Sequence, residues 1–327
     1  MIAEFKNGTV VDKEFIAPAI MRFRLMPEPG SRFPDYEAGQ HIGLRRDDCK
    51  LTRNRGVAPD GKTICEPELD PWERQTIGAV TNSYSVASAP VETAEHGWLE
   101  FFVALEHGLH GLPGRLSEAL FGASPETGCE VAYTDHSAGT FTLSARASGF
   151  ESVLLIGTGS GVAPFVSMLK ELHARSGAGD DRRYTLIHAS RTVPELGYHE
   201  ALFEIEAAGR FDLLYVPTVS RPSNNATVDR RIGQGRASNV LRHIFDLPTT
   251  EADKLTNAMG DVGRVAAELA LERLVHPILP GHLTATAIRD RLEPAGTVLL
   301  TCGNPVSVAD IRSTAARRDI QCETEKC

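Results

Sequence analysis

Apolar and polar residues alternate over short stretches between about residue 5 and residue 145. Gly and Pro bound these stretches, a pattern typical of β-strands joined by turns. The predicted strands are Gly8–Phe15, Ala19–Met26, Gln40–Leu44, Tyr84–Ala87, Leu99–Leu105 and Glu130–Thr134. One helix is predicted at Gly114–Phe121, directly before Gly122. Many short strands separated by turn residues predict an antiparallel barrel or sandwich.

From about residue 150, buried strands and amphipathic helices alternate instead. The predicted strands are Ser152–Ile156, Tyr184–His188, Leu213–Val219 and Val298–Thr301. The predicted helices are Ala163–Ala174, Pro194–Ala208 and Val306–Arg317. Such alternation predicts a parallel sheet with helices on both faces. The change of pattern therefore predicts two domains, over residues 1–148 and 149–327.

Two stretches interrupt this order and are interpreted as insertions. Residues 45–80 are polar and rich in Arg, Asp and Pro, with weak periodicity, which favours a long loop. Residues 247–292 contain a predicted helix that Thr250 can cap and Pro277 ends. Its apolar residues recur at helical spacing, at Val262, Val265, Leu269 and Leu274. The second insertion could form a lid or a dimer contact, and the sequence leaves both hypotheses open. It also leaves the oligomeric state open.

Composition excludes several classes of protein. The 327 residues are 42% hydrophobic and 24% charged, with a net charge of −9, which argues against a general nucleic-acid binder. No apolar run of about 18 residues is present, so no membrane-spanning helix is predicted. The N-terminal residues carry charges where a signal peptide needs an apolar stretch, so we expect a cytoplasmic protein. The six cysteines form no C-x-x-C pair, and no metal site is predicted.

A glycine-rich loop gives the strongest local signal of chemistry. Gly157, Gly159 and Gly161 follow a buried strand and precede the helix that begins at Ala163. Glycines let the backbone approach a diphosphate closely, and a helix N-terminus favours negative charge. The loop departs from the strict G-x-G-x-x-G spacing, and an ordinary tight turn is the alternative.

Arginines stand where a dinucleotide fold often has an acidic residue. Arg191 follows the second strand of the parallel sheet, Ser220 and Arg221 follow the third, and Arg231 comes soon after. Parallel strands end along one crevice, so these side chains could converge on one anion. Arginine binds phosphate with a planar fork, which favours NADP over NAD. Tyr198 could stack on the adenine.

Two further motifs are weaker when taken alone. Tyr84 and Ser85 offer an aromatic surface beside a hydroxyl, a combination that suits a flavin ring. Cys302 follows the last predicted strand, so its thiol could line the nicotinamide site. An ordinary strand and an inert buried thiol are the alternatives.

In this order, the motifs resemble those of the ferredoxin–NADP reductase family, and most closely the bacterial ferredoxin/flavodoxin–NADP reductases. The resemblance covers nearly the whole chain except the two insertions. It depends on the segments YEAGQ from Tyr36, YS from Tyr84, LEFFV from Leu99, GTGSGVAPF from Gly157, HASR from His188 with Tyr198, VSR from Val219 and CGNP from Cys302.

The resemblance implies an antiparallel six-stranded FAD-binding barrel followed by a parallel-sheet NADP-binding domain. It implies flavin-dependent electron transfer between NADPH and ferredoxin or flavodoxin, with hydride transfer to flavin N5. The residues implied to act in catalysis are Ser85, Cys302 and Glu325. Those implied to bind FAD are Asn82, Ser83, Tyr84, Ser85, Val103, Leu112, Gly114 and Arg115. Those implied to bind NADP are Gly157, Thr158, Gly159, Gly161, Val162, Ser190, Arg191, Tyr198, Ser220, Arg221, Arg231, Gly303 and Asn304.

The chain departs from the family pattern at three places. Asn82 stands where relatives have an arginine paired to the FAD diphosphate, and Pro113 replaces a Ser or Thr of the next flavin-phosphate loop. Cys327 stands in place of a C-terminal aromatic residue. We hypothesise that Arg115 or Arg74 substitutes for the missing arginine.

Three functions follow as alternatives. The first is a ferredoxin- or flavodoxin–NADP reductase. The second is the NADPH-dependent reductase component of an oxygenase, or a diaphorase. The third is a nucleotide-binding regulatory subunit that has lost its flavin, which Asn82 and Pro113 keep open. A further hypothesis is that cationic residues of segment 45–80 steer an acidic ferredoxin, namely Arg45, Arg46, Lys50, Arg53 and Arg55.

Overall fold

The structure is a computed structural model that describes residues 4–57, 63–107, 112, 114–175, 180–222 and 229–325. The chain divides into two compact units, Met1–Thr140 and Phe141–Cys327. Each unit is built around its own sheet. No helix in the described ranges has the length and apolar character needed to cross a membrane.

Unit 1 contains an antiparallel six-stranded sheet, as the sequence predicts. Its strands and those of a small hairpin are β1 (Phe5–Ala17), β2 (Ile20–Pro27), β3 (His41–Lys50), β4 (Thr52–Val57), β5 (Thr63–Pro67), β6 (Ile77–Ser85), β7 (Leu99–Ala104) and β8 (Glu130–Thr134). The spatial order in the sheet is β6-β3-β8-β1-β2-β7. A single antiparallel bridge between Val86, directly after β6, and Phe101 of β7 links the two outer strands of the sheet.

Alternating side chains of these strands form the core of unit 1. Phe23 of β2 stacks on Phe101 at 5.1 Å between ring centroids, and Tyr133 of β8 packs against Phe33 at 4.8 Å. Two helices flank the strands, α1 (Pro90–His96) and α2 (Arg115–Gly122). Buried Leu116 and Leu120 of α2 join the same core, so α2 is held on the sheet by one apolar face.

The prediction of a long loop over residues 45–80 is wrong. The segment continues β3 to Lys50, forms the antiparallel β4–β5 hairpin and returns as β6. Polar residues do not prevent strand pairing here because ion pairs connect the two strands of the hairpin. Arg53 and Arg55 both pair with Glu66, at 2.6 and 2.7 Å.

Unit 2 contains a parallel six-stranded sheet in the order β12-β11-β10-β9-β13-β14. The strands are β9 (Ser152–Thr158), β10 (Arg183–Ser190), β11 (Asp212–Val219), β12 (Gly233–Gln234), β13 (Thr297–Cys302) and β14 (Gln321–Thr324). The helices are α3 (Leu143–Arg146), α4 (Ala163–Ala174), α5 (His199–Ala208), α6 (Ala237–Ile244), α7 (Thr250–Thr256), α8 (Gly260–Glu272), α9 (Ala285–Arg289) and α10 (Pro305–Ala316).

Helices cover both faces of this sheet, as predicted. Residues of α6, α9 and α10 pack with Leu154, Ile156 and Leu299 into one core. Helices α4 and α5 contact β9 and β11 instead. The central strands are buried on both sides because neighbouring side chains of a strand point to opposite faces.

Two helix predictions are wrong in detail. The helix predicted from Pro194 begins only at His199. The chain first forms a separate short turn over Val193–Glu195, and Tyr198, directly before the helix, takes a left-handed conformation (φ 63°). The single helix predicted between Thr250 and Pro277 is two helices, α7 and α8. Thr249, not Thr250, caps α7, its hydroxyl accepting from the Ala252 amide. Helix α8 ends at Glu272, so Leu274 lies outside it.

Candidate functional site

The candidate coenzyme residues of unit 2 lie along one edge of its sheet, where the parallel strands end. Gly157 of β9 is paired in register with His188 of β10 on one side and Cys302 of β13 on the other. The glycine loop, the end of β10 and the Cys302 segment are therefore neighbours, although they are far apart in the sequence. This is the edge at which open α/β sheets bind ligands.

The glycine loop runs tightly between β9 and α4. Gly159 has a positive φ of 57° and begins a short 3-10 turn that ends at Val162. Gly161 has no room for a side chain, because a Cβ there would lie 2.5 Å from the carbonyl carbon and oxygen of Cys302. At Gly157, a Cβ would lie 2.8 Å from the Val162 Cα. The glycines therefore permit close approach of backbones, and the loop leads into the N-terminus of α4.

The segment Cys302–Asn304 packs directly against this loop. Gly303 has a φ of 130°, and the Asn304 amide donates to the Thr158 hydroxyl at 3.1 Å. The Asn304 side chain then caps α10 by accepting from the Val306 amide at 3.0 Å. Two predicted coenzyme-binding segments thus form one hydrogen-bonded unit.

A thiol and a carboxylate meet beside this segment. The Cys302 thiol is buried and donates to Glu325 Oε2, with 2.8 Å between sulfur and oxygen. Strand β14 brings Glu325 there by pairing with β13, and the Glu325 amide donates to the Thr301 carbonyl at 3.3 Å. The structure therefore joins two of the three predicted catalytic residues, and the third, Ser85, belongs to unit 1.

The ends of β10 and β11 bring the predicted phosphate-binding residues together. The Ser220 amide donates to the Ser190 carbonyl at 3.0 Å, and the Arg221 amide donates to the Arg191 carbonyl at 2.7 Å. The Arg191 guanidinium pairs with Glu195 at 3.2 Å. Ser190, Arg191, Ser220 and Arg221 thus lie side by side where two neighbouring strands end.

Arg231 lies close to α5 and is held by carboxylates. Its guanidinium contacts Asp229 at 2.7 Å and Glu200 at 3.5 Å. It also lies over the ring of Phe203, 4.6 Å from the centroid. The hydrogen-bonded Arg231 guanidinium lowers the pKa of Asp229, so Asp229 stays ionised at neutral pH.

Tyr198 stands at the N-terminus of α5 with its ring partly exposed, and the Lys170 ammonium lies 5.2 Å from the ring centroid. Beside it is a buried cluster that the sequence analysis did not single out. The Tyr215 hydroxyl shares hydrogen bonds with Nδ1 of His188 at 3.0 Å and Nδ1 of His199 at 3.1 Å. Burial lowers the pKa of His188 to about 3, so its imidazole is neutral.

In unit 1, Tyr84 and Ser85 end β6 opposite Ile42 and His41 of β3. The Tyr84 ring is partly buried against the core, and the Asn82 side chain hydrogen-bonds its hydroxyl. Burial, and next the negative charge of Glu106, raise the pKa of Tyr84, so its hydroxyl keeps its proton. Ser83 is exposed on the same strand, and β7, which the Val86–Phe101 bridge joins to the end of β6, holds the buried Val103.

Helix α2 begins at the predicted flavin-phosphate loop. Gly114 is tightly enclosed, since a Cβ there would lie 2.7 Å from the Glu106 Cβ. Arg115 is the first residue of α2 and is exposed, whereas Arg74 is paired with Asp70 at 2.8 Å. Leu112 is partly buried. Pro113 and Cys327, the other two departures from the family pattern, lie outside the described residues.

The sequence analysis missed the acidic partners of the arginines. Glu195, Glu200 and Asp229 each lie within a few residues of a named motif, but only the folded loops show which arginine each one meets. The signal that could have found them is local. Asp229 precedes Arg231 by two residues, and Glu195 follows Arg191 by four.

One family model matches part of unit 2. Residues 155–253 match the family model described as the oxidoreductase NAD-binding domain. No curated protein matches the chain.

Solved structures show the same fold over nearly the whole chain. A ferredoxin–NADP⁺ reductase from Neisseria gonorrhoeae with bound FAD and NADP is 21% identical, with a TM-score of 0.56 over 99% of this chain and 98% of that one. The FAD/NAD-binding domain of a nitric oxide dioxygenase from Vibrio cholerae is 16% identical, with a TM-score of 0.58 over 98% of each chain. A cytochrome P450 reductase from Amycolatopsis is 19% identical, with a TM-score of 0.57 over 100% of this chain and 71% of that one.

These findings confirm the two-sheet fold and the resemblance to ferredoxin–NADP reductases and related FAD- and NAD-binding reductases. At such identities, the likeness establishes the fold. The roles of single residues stay predictions.

Proposed function

We propose that the chain is a flavin-dependent oxidoreductase that takes electrons from NADPH and passes them to a one-electron carrier, ferredoxin or flavodoxin. Unit 1 would hold FAD and unit 2 would hold NADPH. Both cofactors are bound in the similar reductase from Neisseria gonorrhoeae, and residues 155–253 match an oxidoreductase NAD-binding domain.

The order of residues along the edge of the parallel sheet is the observation that carries this proposal. The arginine pair stands at β11 and β10, the glycine loop at β9, Cys302 at β13, and Glu325 directly after β14. From β11 to β14, the edge thus offers arginines for a 2′-phosphate, then a glycine loop for a diphosphate, and then Cys302 and Glu325 for a nicotinamide ring. The backbone cradle at Gly157, Gly159 and Gly161 fits a diphosphate because it is open at Gly159 and precedes a helix N-terminus.

Unit 1 fits a flavin at its ring more clearly than at its phosphates. The partly buried Tyr84 ring and the Ser85 hydroxyl at the end of β6 supply a stacking surface and a polar group. Asn82 carries no charge, so the cation for the FAD diphosphate is assigned to Arg115, which opens α2. Arg74 is less suited because Asp70 occupies its guanidinium.

Bound FAD would supply the conversion between two-electron and one-electron transfer. Cys302 and Glu325 would form the wall of the nicotinamide site. Their hydrogen bond holds the thiol proton on the line from sulfur to Glu325 Oε2 and fixes the orientation of the Cys302 side chain. The ordered thiol would line the site of the ring, and the carboxylate would be available as a proton acceptor.

The identity of the electron carrier is the least constrained part of the proposal. Segment 45–80 contains seven Lys or Arg and seven Asp or Glu residues, and its arginines pair with neighbouring carboxylates. In the described residues of this segment, neighbouring carboxylates thus offset the arginines, which speaks against steering of an acidic ferredoxin. An oxygenase that accepts electrons remains the second candidate, because the fold is shared with a cytochrome P450 reductase.

Purification with an absorbance spectrum tests the proposal first. We expect a yellow protein, or a colourless one that takes up added FAD, whose flavin bands bleach on anaerobic addition of NADPH. Oxidised ferredoxin, flavodoxin and ferricyanide are then compared as acceptors. A folded protein that neither binds FAD nor oxidises NADPH would contradict the proposal and favour a flavin-free nucleotide-binding subunit.

A further inference from the structure

Carboxylates compensate the arginines of the candidate 2′-phosphate site. Asp229 accepts from Arg231 Nε at 3.0 Å and from its terminal nitrogen at 2.7 Å. Glu200 lies 3.5 Å from the same guanidinium, and Glu195 accepts from Arg191 at 3.2 Å. Leu196, Val219 and Ile232, which lie close to these arginines in the sequence, pack into one buried cluster. The segments that carry Arg191, Arg221 and Arg231 are therefore neighbours, and the formal charges of the three arginines and three carboxylates sum to zero.

Arg221 differs from the other two arginines. It is exposed and pairs with no carboxylate in the part of the chain that the structure describes. The sequence that follows it, SNNATV over residues 223–228, contains no acidic residue. Of the three, Arg221 is thus the guanidinium whose charge no described carboxylate offsets.

Asp229 also fixes the orientation of Arg231. The Arg231 amide donates to Asp229 Oδ1 at 2.9 Å while the guanidinium binds the same carboxylate. Arginine recognises phosphate through two parallel N–H bonds from one edge of its fork. At Arg231 the carboxylate occupies that edge, so a phosphate must displace Asp229 or bind beside its negative charge.

From this arrangement we infer that Asp229 is a specificity-determining residue that weakens selection for the 2′-phosphate, so that the site takes coenzymes with and without this group. The inference rests on the proposed coenzyme site. A phosphate monoester carries a charge of about −1.5 to −2 at neutral pH and gains little from a cluster of zero net charge. A coenzyme with a free ribose 2′-hydroxyl loses no affinity there, because carboxylates accept the hydrogen bond of that hydroxyl.

The test compares two nucleotides that differ only in the group concerned, adenosine 2′,5′-bisphosphate and adenosine 5′-monophosphate. Their dissociation constants are measured by calorimetry with the full chain at a fixed ionic strength of about 0.1 M, where charges within about 10 Å still interact. For the unmodified protein, we expect the bisphosphate to bind less than about tenfold more tightly. Arg221→Ala should remove even this preference.

Asp229→Asn removes the charge and keeps an oxygen that can accept from the Arg231 amide. We expect the preference for the bisphosphate to rise about five- to tenfold, because one unit charge a few ångströms from a phosphate has about that effect in a water-like medium. Binding of the monophosphate should not change. Asp212→Asn is the matched control. It also breaks an arginine pair, with Arg291 at 2.7 Å, but lies at the opposite end of β11.

The outcomes separate the inference from the function on which it rests. If the unmodified protein prefers the bisphosphate by about 100-fold or more, or if Asp229→Asn leaves the preference unchanged, the inference is overturned while the coenzyme site stands. If neither nucleotide binds, the coenzyme site and the inference both fail. A rise of the preference in Asp229→Asn but not in Asp212→Asn supports the inference.

Discussion

Replacing Gly161 by alanine should disturb the candidate site through one added carbon. The new Cβ would lie 2.5 Å from the carbonyl carbon and oxygen of Cys302 and 2.5 Å from the Gly303 Cα. All of these are backbone atoms, so no flexible side chain can move aside. Either the glycine loop or the Cys302–Asn304 segment has to shift, and with it the Cys302 thiol that binds Glu325.

The cost of this change follows from the packing. Inserting a methyl group into a closely packed site costs about 1–3 kcal/mol, and we expect the upper half of that range because the neighbours are main-chain atoms. For a unit of this size, about 2 kcal/mol lowers the melting temperature by roughly 4–8 °C. The dissociation constant for NADPH should rise at least tenfold, since the loop no longer presents its amides in the same geometry.

Circular dichroism at 222 nm is the appropriate assay, because most helices belong to unit 2, whereas both tryptophans, Trp72 and Trp98, belong to unit 1. Gly263→Ala is the matched control. Gly263 lies inside helix α8 with open space around it, so alanine should stabilise the protein by about 0.5–1 kcal/mol. If Gly161→Ala had the same melting temperature as the unmodified protein and bound NADPH equally well, the close packing of the two loops would be refuted.

Three further predictions follow. Glu325→Gln should lower the rate of flavin reduction by NADPH about tenfold or more in rapid mixing, with no change in melting temperature; an unchanged rate would show that the thiol needs no carboxylate. Arg115→Ala should weaken FAD binding by about tenfold or more, as loss of a charge-assisted hydrogen bond implies, while Arg74→Ala should change it less than threefold; equal effects would contradict the assignment. His188 has a folded-state pKa of about 3 against an ordinary value of 6.5, so the unfolded chain takes up its proton first as the pH falls. Unfolding free energy should therefore drop by about 2 kcal/mol between pH 7 and pH 5 through this residue, and urea titrations of His188→Asn should lack that part of the drop.

The elements that the sequence predicts well are those whose pattern is set locally. Strand β9 is a continuous apolar run, and helix α4 has Pro164 in its first turn and begins and ends where the spacing predicts. The elements it missed depend on distant neighbours. Strand β14 has only four residues and no clear alternation, and it forms because β13 offers an unpaired edge. The break at Tyr198 needs a left-handed tyrosine, a conformation that propensity does not favour.

The surface charge of segment 45–80 also depends on contacts between residues that are distant in the sequence. Counting cations in segment 45–80 suggested a basic surface, but pairing depends on which side chains face each other across a hairpin. Arg53 and Arg55 lie on the strand opposite Glu66, and that strand pairing is invisible to a count along the chain. A short-range pair such as Asp70 with Arg74 was visible in principle, at a spacing of four residues.

The candidate site of unit 2 is a consequence of register more than of motif. The Gly157 loop, Arg191, Arg221 and Cys302 become neighbours because parallel pairing aligns Gly157 with His188 and Cys302, and Ser190 with Val219. A slip of one residue in any of these ladders would turn every following side chain to the other face of the sheet. The buried strands prevent such a slip, since both faces carry apolar side chains against helices. The strand pairing that stabilises the centre of the sheet therefore also sets the geometry of the coenzyme edge. For this reason, Gly161→Ala should lower both the melting temperature and the affinity for NADPH.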